Sequence, residues 1–142
     1  MRDDEWLINR FYLIWNKHFS DMEKKNRILV RFKGRWKNKF GHIKRLKDGN
    51  TEIVLNGLLK HEEIPDYIID VTLAHEIVHY IHGFNSPLPK LYRYPHYGGI
   101  VRKELKKRGF TLELRMERNF IKEKWQAMHD NLNPKSRKLL AI

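Results

Sequence analysis

The stretch Pro65 to Gly83 reads P-D-Y-I-I-D-V-T-L-A-H-E-I-V-H-Y-I-H-G, and it decides how the rest of the chain is read. From Tyr67 to Ile81 apolar residues occupy nearly every side of a helical wheel, the pattern of a buried helix. Pro65 suits a first turn, where a missing N–H costs nothing. Glu62, Glu63, Asp66 and Asp70 place negative charge toward the positive end of the helix dipole, and Gly83 is a natural stop. Within this helix stand His75, Glu76 and His79, an H-E-x-x-H motif. Residues i and i+4 lie on one face a turn apart, so the two imidazoles can hold one Zn²⁺ ion. The glutamate beside the first histidine can then reach a water on the metal. Random placement of eight His and ten Glu gives this motif about 0.03 times per chain of this length. Buried ionisable groups are costly unless paired or bound to metal, so all of them need partners.

A chain of 142 residues with 41% hydrophobic content is expected to form one domain, spanning 1–142, with a real core. It has no cysteine, which removes disulfides, thiolate zinc ribbons and a cysteine nucleophile. The start M-R-D-D-E-W has neither the basic head nor the long apolar run of a signal peptide, and no apolar run is long enough to span a membrane. The expectation is a soluble cytoplasmic protein with no membrane partner. Its net charge of +12 points to an anionic partner, nucleic acid first. A DNA binder would sit at the nucleoid or chromatin.

Several elements flank the motif helix. Asp3 or Asp4 can cap a helix to about Phe19, with Leu7, Phe11, Ile14, Trp15 and His18 on its inner face; His18 reads as a packed residue. Ile28 to Phe32, Phe40 to Leu46 and Thr51 to Leu55 read as strands, the last two joined by a turn at Asp48-Gly49. Eleven Lys and Arg and no acid lie between Lys24 and Lys47. Arg31, Lys33, Arg35, Lys37 and Lys39 alternate with Val30, Phe32, Trp36 and Phe40, so an extended strand would separate a cationic face from an apolar one, with a turn or bulge near Gly34. Basic residues interleaved with aromatics suit phosphate contact and base stacking. Arg31, Lys33, Arg35, Trp36, Lys37, Lys39, Lys44 and Arg45 are therefore the candidate DNA-binding residues. Ile100 to Arg108 reads as a helix, Phe110 to Met116 as a strand, and Asn119 as the cap of a last helix whose inner face holds Ile121, Trp125, Met128 and Leu132. A basic tail over 132–142 closes the chain. The fold class expected is α+β, a small, mostly antiparallel sheet packed with helices.

A catalytic zinc has three protein ligands and an open position. His82 lies about 10 Å along the axis from His75, too far to share an ion. The pattern H-E-x-x-H-x-x-G-x-x-H fails because position 85 is Asn. His96, which follows an irregular loop and precedes Gly98-Gly99, is the favoured third ligand; Glu104 is the alternative. His42, His61 and His129 have no helpful spacing. Ligating imidazoles must be neutral, so metal affinity is expected to fall through roughly pH 6.

These motifs resemble the SprT-like (Spartan-type) zinc metalloprotease family over roughly Glu5 to Met116. The carriers are an amphipathic first helix, a basic hairpin, the strand T-E-I-V-L-N, a short acidic linker with proline, the motif helix and a downstream His-Gly element. The family's third ligand is the His of H-G-x-x-F, which matches His96 in H-Y-G-G-I-V with one residue intervening; no zinc ribbon follows. The resemblance implies a zincin-like domain and a peptidase acting on DNA-associated or DNA-crosslinked proteins. His75, His79 and His96 would hold one Zn²⁺ and Glu76 would transfer the proton, with Tyr92, Tyr94 or Tyr97 as candidates to stabilise the oxyanion. Two rivals stand beside it: a non-catalytic DNA-binding module with a structural or vestigial zinc site, and a zinc hydrolase of a non-peptide substrate.

Overall fold

The computed structural model describes residues 1–133. The fold is α+β: a three-stranded sheet and helices packed around one central helix. Helix α1 (Asp4–His18) begins where the Asp3 carboxylate accepts the Trp6 N–H at 2.8 Å. Strands β1 (Ile28–Phe32), β2 (Gly41–Arg45) and β3 (Thr51–Leu55) follow, then helix α2 (Asp66–Ile81). Pro65 caps α2 from outside and His82 ends it. Helix α3 (Ile100–Lys107) leads into α4 (Thr111–Phe120), a π-helical turn (Ile121–Trp125) and α5 (Gln126–Leu132), which run on without a break.

The sheet order is β1-β3-β2, with β1 parallel and β2 antiparallel to β3. The sheet is thus mixed, not mostly antiparallel. The β2–β3 hairpin turns at Asp48-Gly49, as its sequence predicts; β1 instead reaches β3 by a crossover through β2. Every residue of β3 is buried. Helix α2 packs against α1, α3, α4, β2 and β3, which explains why twelve of its sixteen residues are buried. Leu7, Phe11 and Trp15 of α1, Ile53 and Leu55 of β3, and Leu105, Phe110 and Leu114 beyond it complete the core.

Four further expectations are corrected. Phe110 to Met116 is helical. Its alternating Phe110, Leu112, Leu114 and Met116 also fit a helix, in which Phe110 and Leu114 share the buried face while Leu112 is 55% exposed. Asn119 consequently caps nothing: it lies inside α4. The π turn then rotates the register, burying Trp125 and Leu132 but leaving Ile121 exposed. Finally, residues 33–40 form no strand. Gly34 takes φ +87°, and the Trp36 ring lies over it where any Cβ would collide, so the cationic ladder breaks there. Of the tail, residues 134–142 lie outside the described residues. Among the described residues no helix is long and apolar enough to cross a membrane.

Candidate metal centre and cleft

The polar residues of α2 divide into two groups. Asp70 receives a two-pronged ion pair from Arg10 at 2.6 and 2.7 Å, and the Thr72 hydroxyl donates to the Ile68 carbonyl at 2.7 Å. The fold satisfies these. It does not satisfy the motif: among the described residues no hydrogen bond or ion pair reaches the side chains of Glu76 or His79, and His79 Nδ1 is buried without a partner. The His75 ring packs on His79, and among the described residues its one polar contact is with His96, Nε2 to Nε2 at 3.2 Å.

His96 comes from the proline-rich loop and stands just before a 3₁₀ turn (Tyr97–Gly99), where Gly98 and Gly99 take φ +67° and +68°. These left-handed residues let the chain double back into α3. His75, His79 and His96 together offer three nitrogens that all lie within 4.8 Å of one another, so the cluster could hold a metal ion. Two nitrogens at ~2.0–2.1 Å from one tetrahedral ion stand roughly 3.3 Å apart, close to the His75–His96 separation. His75 and His79 are buried or partly buried, and His96 is exposed, which leaves the cluster open on that side.

The electrostatics also fit a metal. Burial, with His96 adding to it, pushes the His75 pKa down to about 4. Burial pushes His79 down to about 3, with help from His75, His96 and His82. Both rings are therefore neutral ligands far below pH 6, so acidification to that point leaves them competent. Burial pushes the Glu76 carboxyl up to about 8, against the opposing pull of Lys39.

His75, Glu76 and His96 line a cleft of about 620 Å³ walled by residues 37–41 on one side and by Glu117, Ile121, Trp125 and Gln126 on the other. A smaller hollow of about 260 Å³ continues past it, between β2 and Phe84, Asn85 and Pro95. Both share Gly41, His75, Glu76 and His96. At Gly41 a Cβ would meet the Val54 carbonyl at 2.9 Å and the Thr72 methyl at 3.0 Å, so glycine lets this part of the cleft wall lie close against β3 and α2.

Other expected residues fall elsewhere. Glu104 is held by Arg108 at 2.7 Å and faces His82 at 3.8 Å, away from the cluster. Tyr92, Tyr94 and Tyr97 are exposed and line neither hollow; Tyr92 packs on the His82 ring and Tyr94 under Arg93. The His18 Nδ1–H donates to the Arg108 carbonyl at 2.7 Å and the ring packs on Phe110, a packing role. Among the basic residues, Arg31 and Lys44 pair with buried Glu52 at 3.0 and 3.3 Å. Arg45 donates to the Gly49 carbonyl, and Lys39 lies 4.3 Å over the Trp36 ring, which also packs on His42. Lys33, Arg35 and Lys37 remain exposed, with no ion pair among the described residues.

Glu117 was missed by sequence reasoning, because α4 reads as a strand there. The signal was present: Phe110, Leu114, Glu117 and Ile121 follow one helical stripe, and a glutamate in an apolar stripe is anomalous. Burial pushes its pKa up to about 7, opposed by Arg102.

Neither a known family, nor a curated protein, nor a solved structure matches this chain.

Proposed function

We propose that the protein is a zinc-dependent peptidase of the SprT-like type, with a zincin-like domain, acting on DNA-associated or DNA-crosslinked proteins. One observation carries this reading: three imidazoles meet beside an unpaired, buried carboxyl where two hollows of a cleft join. His75, His79 and His96 would hold the ion, and three protein ligands with one open side suit catalysis better than a closed structural site. A bound Zn²⁺ supplies Lewis acidity, polarising a carbonyl and lowering the pKa of water. The charge of a bound ion would favour the ionised Glu76 carboxylate over the neutral form that burial favours, and Glu76 would then take a proton from the attacking water and pass it to the leaving amine nitrogen. Glu76 is buried and lines both hollows, which places its carboxyl at the cleft floor. An extended substrate chain can run from the larger hollow to the smaller one across these residues.

Exposed Lys33, Arg35 and Lys37 sit on the loop that walls the cleft, so phosphate contacts there would hold DNA beside the site. The protein would then work in the cytoplasm, at the nucleoid or chromatin. The test is cleavage of a DNA-bound basic protein by wild type and Glu76→Gln, with zinc content measured on both. Proton transfer contributes about 10²–10⁴ in rate, so Glu76→Gln should keep its zinc and lose about that factor. Equal cleavage by the two proteins would refute the role of Glu76. DNA binding by both without any cleavage would favour the non-catalytic binding module.

A further inference from the structure

Strand β1 is the parallel edge of the sheet, remote in the strand order from β2 and the cleft. Its backbone direction can be read from three hydrogen bonds. The Arg27 carbonyl accepts from Thr51 N–H at 3.0 Å, and Lys33 N–H donates to the Leu55 carbonyl at 2.9 Å. Residues 27, 29, 31 and 33 therefore face β3, and 28, 30 and 32 face outward. The Phe32 N–H confirms the alternation by donating outward to Asp4 Oδ1 at 2.9 Å. Asp4 closes that end. Among the described residues nothing bonds the outward N–H and C=O groups of Ile28 and Val30.

These groups border a groove of about 560 Å³ between β1 and α1. Its helical wall carries Ile8 and Tyr12, 39% and 46% exposed, which are large apolar side chains left outside the core. Lys24, Arg27 and Arg31 line it against a single acid, Glu52, which Arg31 and Lys44 already neutralise. Backbone donors and acceptors repeating every second residue, an apolar wall and surplus positive charge select one kind of occupant. An extended peptide supplies both donors and acceptors at this spacing; a DNA backbone supplies acceptors only.

We propose that this groove docks an extended, acidic segment of a partner protein, which adds to the sheet beside β1 as a fourth strand. Its alternate apolar side chains meet Ile8 and Tyr12, and its carboxylates meet Lys24 and Arg27. The edge would otherwise stay open to indiscriminate pairing, which the cations discourage for basic or uncharged strands.

The probe is a labelled, acetylated eight-residue peptide of alternating glutamate and valine, titrated at low salt against Glu76→Gln, which keeps cleavage out of the measurement. Two further peptides carry N-methyl groups on all the glutamates or on all the valines. The proposal expects saturable binding, retained by one methylated isomer and lost by the other, since only one edge of the peptide pairs. Lys24→Glu with Arg27→Glu should weaken it at least about tenfold. Amide exchange should slow at Ile28 and Val30 on binding, while Leu29 and Arg31 are protected throughout. Absence of binding, equal binding of both isomers, or protection moving to 41–45 overturns it. Protection of Ile28 and Val30 by a DNA duplex but not by the peptide overturns it in favour of nucleic acid.

Discussion

Replacing Asn56 tests how the cleft wall is held. This residue is fully buried just after β3. Its Nδ2 donates to the carbonyls of Trp36 at 2.6 Å and Lys39 at 3.0 Å, and its Oδ1 accepts from Leu58 N–H at 3.0 Å. One side chain thus pins both ends of the basic loop segment to the turn that leads into α2. Asn56→Ala removes three hydrogen bonds, each worth about 0.5–1.5 kcal/mol net. The Lys39 and Trp36 ends are partly reached by water, so the middle of that range applies, a loss of ~2–3 kcal/mol. At roughly 2–4 °C per kcal/mol for a chain of this size, melting should fall by roughly 4–12 °C. Asn56→Asp is the sharper variant. It keeps the acceptor for Leu58 but turns a second oxygen toward two carbonyls, so it should cost more than alanine despite its closer shape. Urea unfolding of the three proteins gives the order. An aspartate variant as stable as wild type, or an alanine variant within about 0.5 kcal/mol of it, would refute the pinning role.

Without metal, His75 and His79 have pKa values near 4 and 3, below the ordinary 6.5. The stability this lends is complete above pH 6.5 and is lost as pH falls from there through 4 for His75 and through 3 for His79, measurable by urea unfolding in chelator. Glu76 acts in the opposite sense: raised from 4.5 to about 8, it lends stability below pH 4.5 that is lost as pH rises through 8. Glu76→Gln should therefore gain on wild type between pH 5 and pH 8 in the same chelated samples, and a constant difference would contradict the burial of that charge. Reversing Lys33, Arg35 and Lys37 to Glu should flatten the slope of log K against log salt for duplex DNA, by about 0.9 for each phosphate that is no longer neutralised. Arg31→Ala should change that slope less, because Glu52 already neutralises Arg31.

The motif helix was legible because local signals agree: continuous apolar residues, an acidic start, a proline before it and a glycine after it. Strands β1 and β3 were legible as short β-branched runs, and β2 through the Asp48-Gly49 turn that pairs it with β3. Where a run fits two periods, as from Phe110 to Met116, only packing against α2 chooses, and packing is not local. The loop at 33–40 depends on Asn56, a residue about twenty positions away whose side chain takes the bonds a neighbouring strand would have taken. The pairing of Arg31 and Lys44 with Glu52 follows from the register β1-β3-β2, which no single stretch encodes. The candidate centre was half legible. His75, Glu76 and His79 are fixed by the helix they share. The nearness of His96 depends on how the proline-rich loop folds back, and Glu117 depends on a helix that reads as a strand.

The claim that His75, His79 and His96 hold one zinc ion is tested most directly by X-ray absorption at the zinc edge on purified protein, beside His96→Ala. Three imidazole nitrogens and one further light ligand, all at ~2.0–2.1 Å, are predicted for the wild type, with one imidazole fewer in the variant. Zinc absent from the wild type, or the same three imidazoles in His96→Ala, would contradict it.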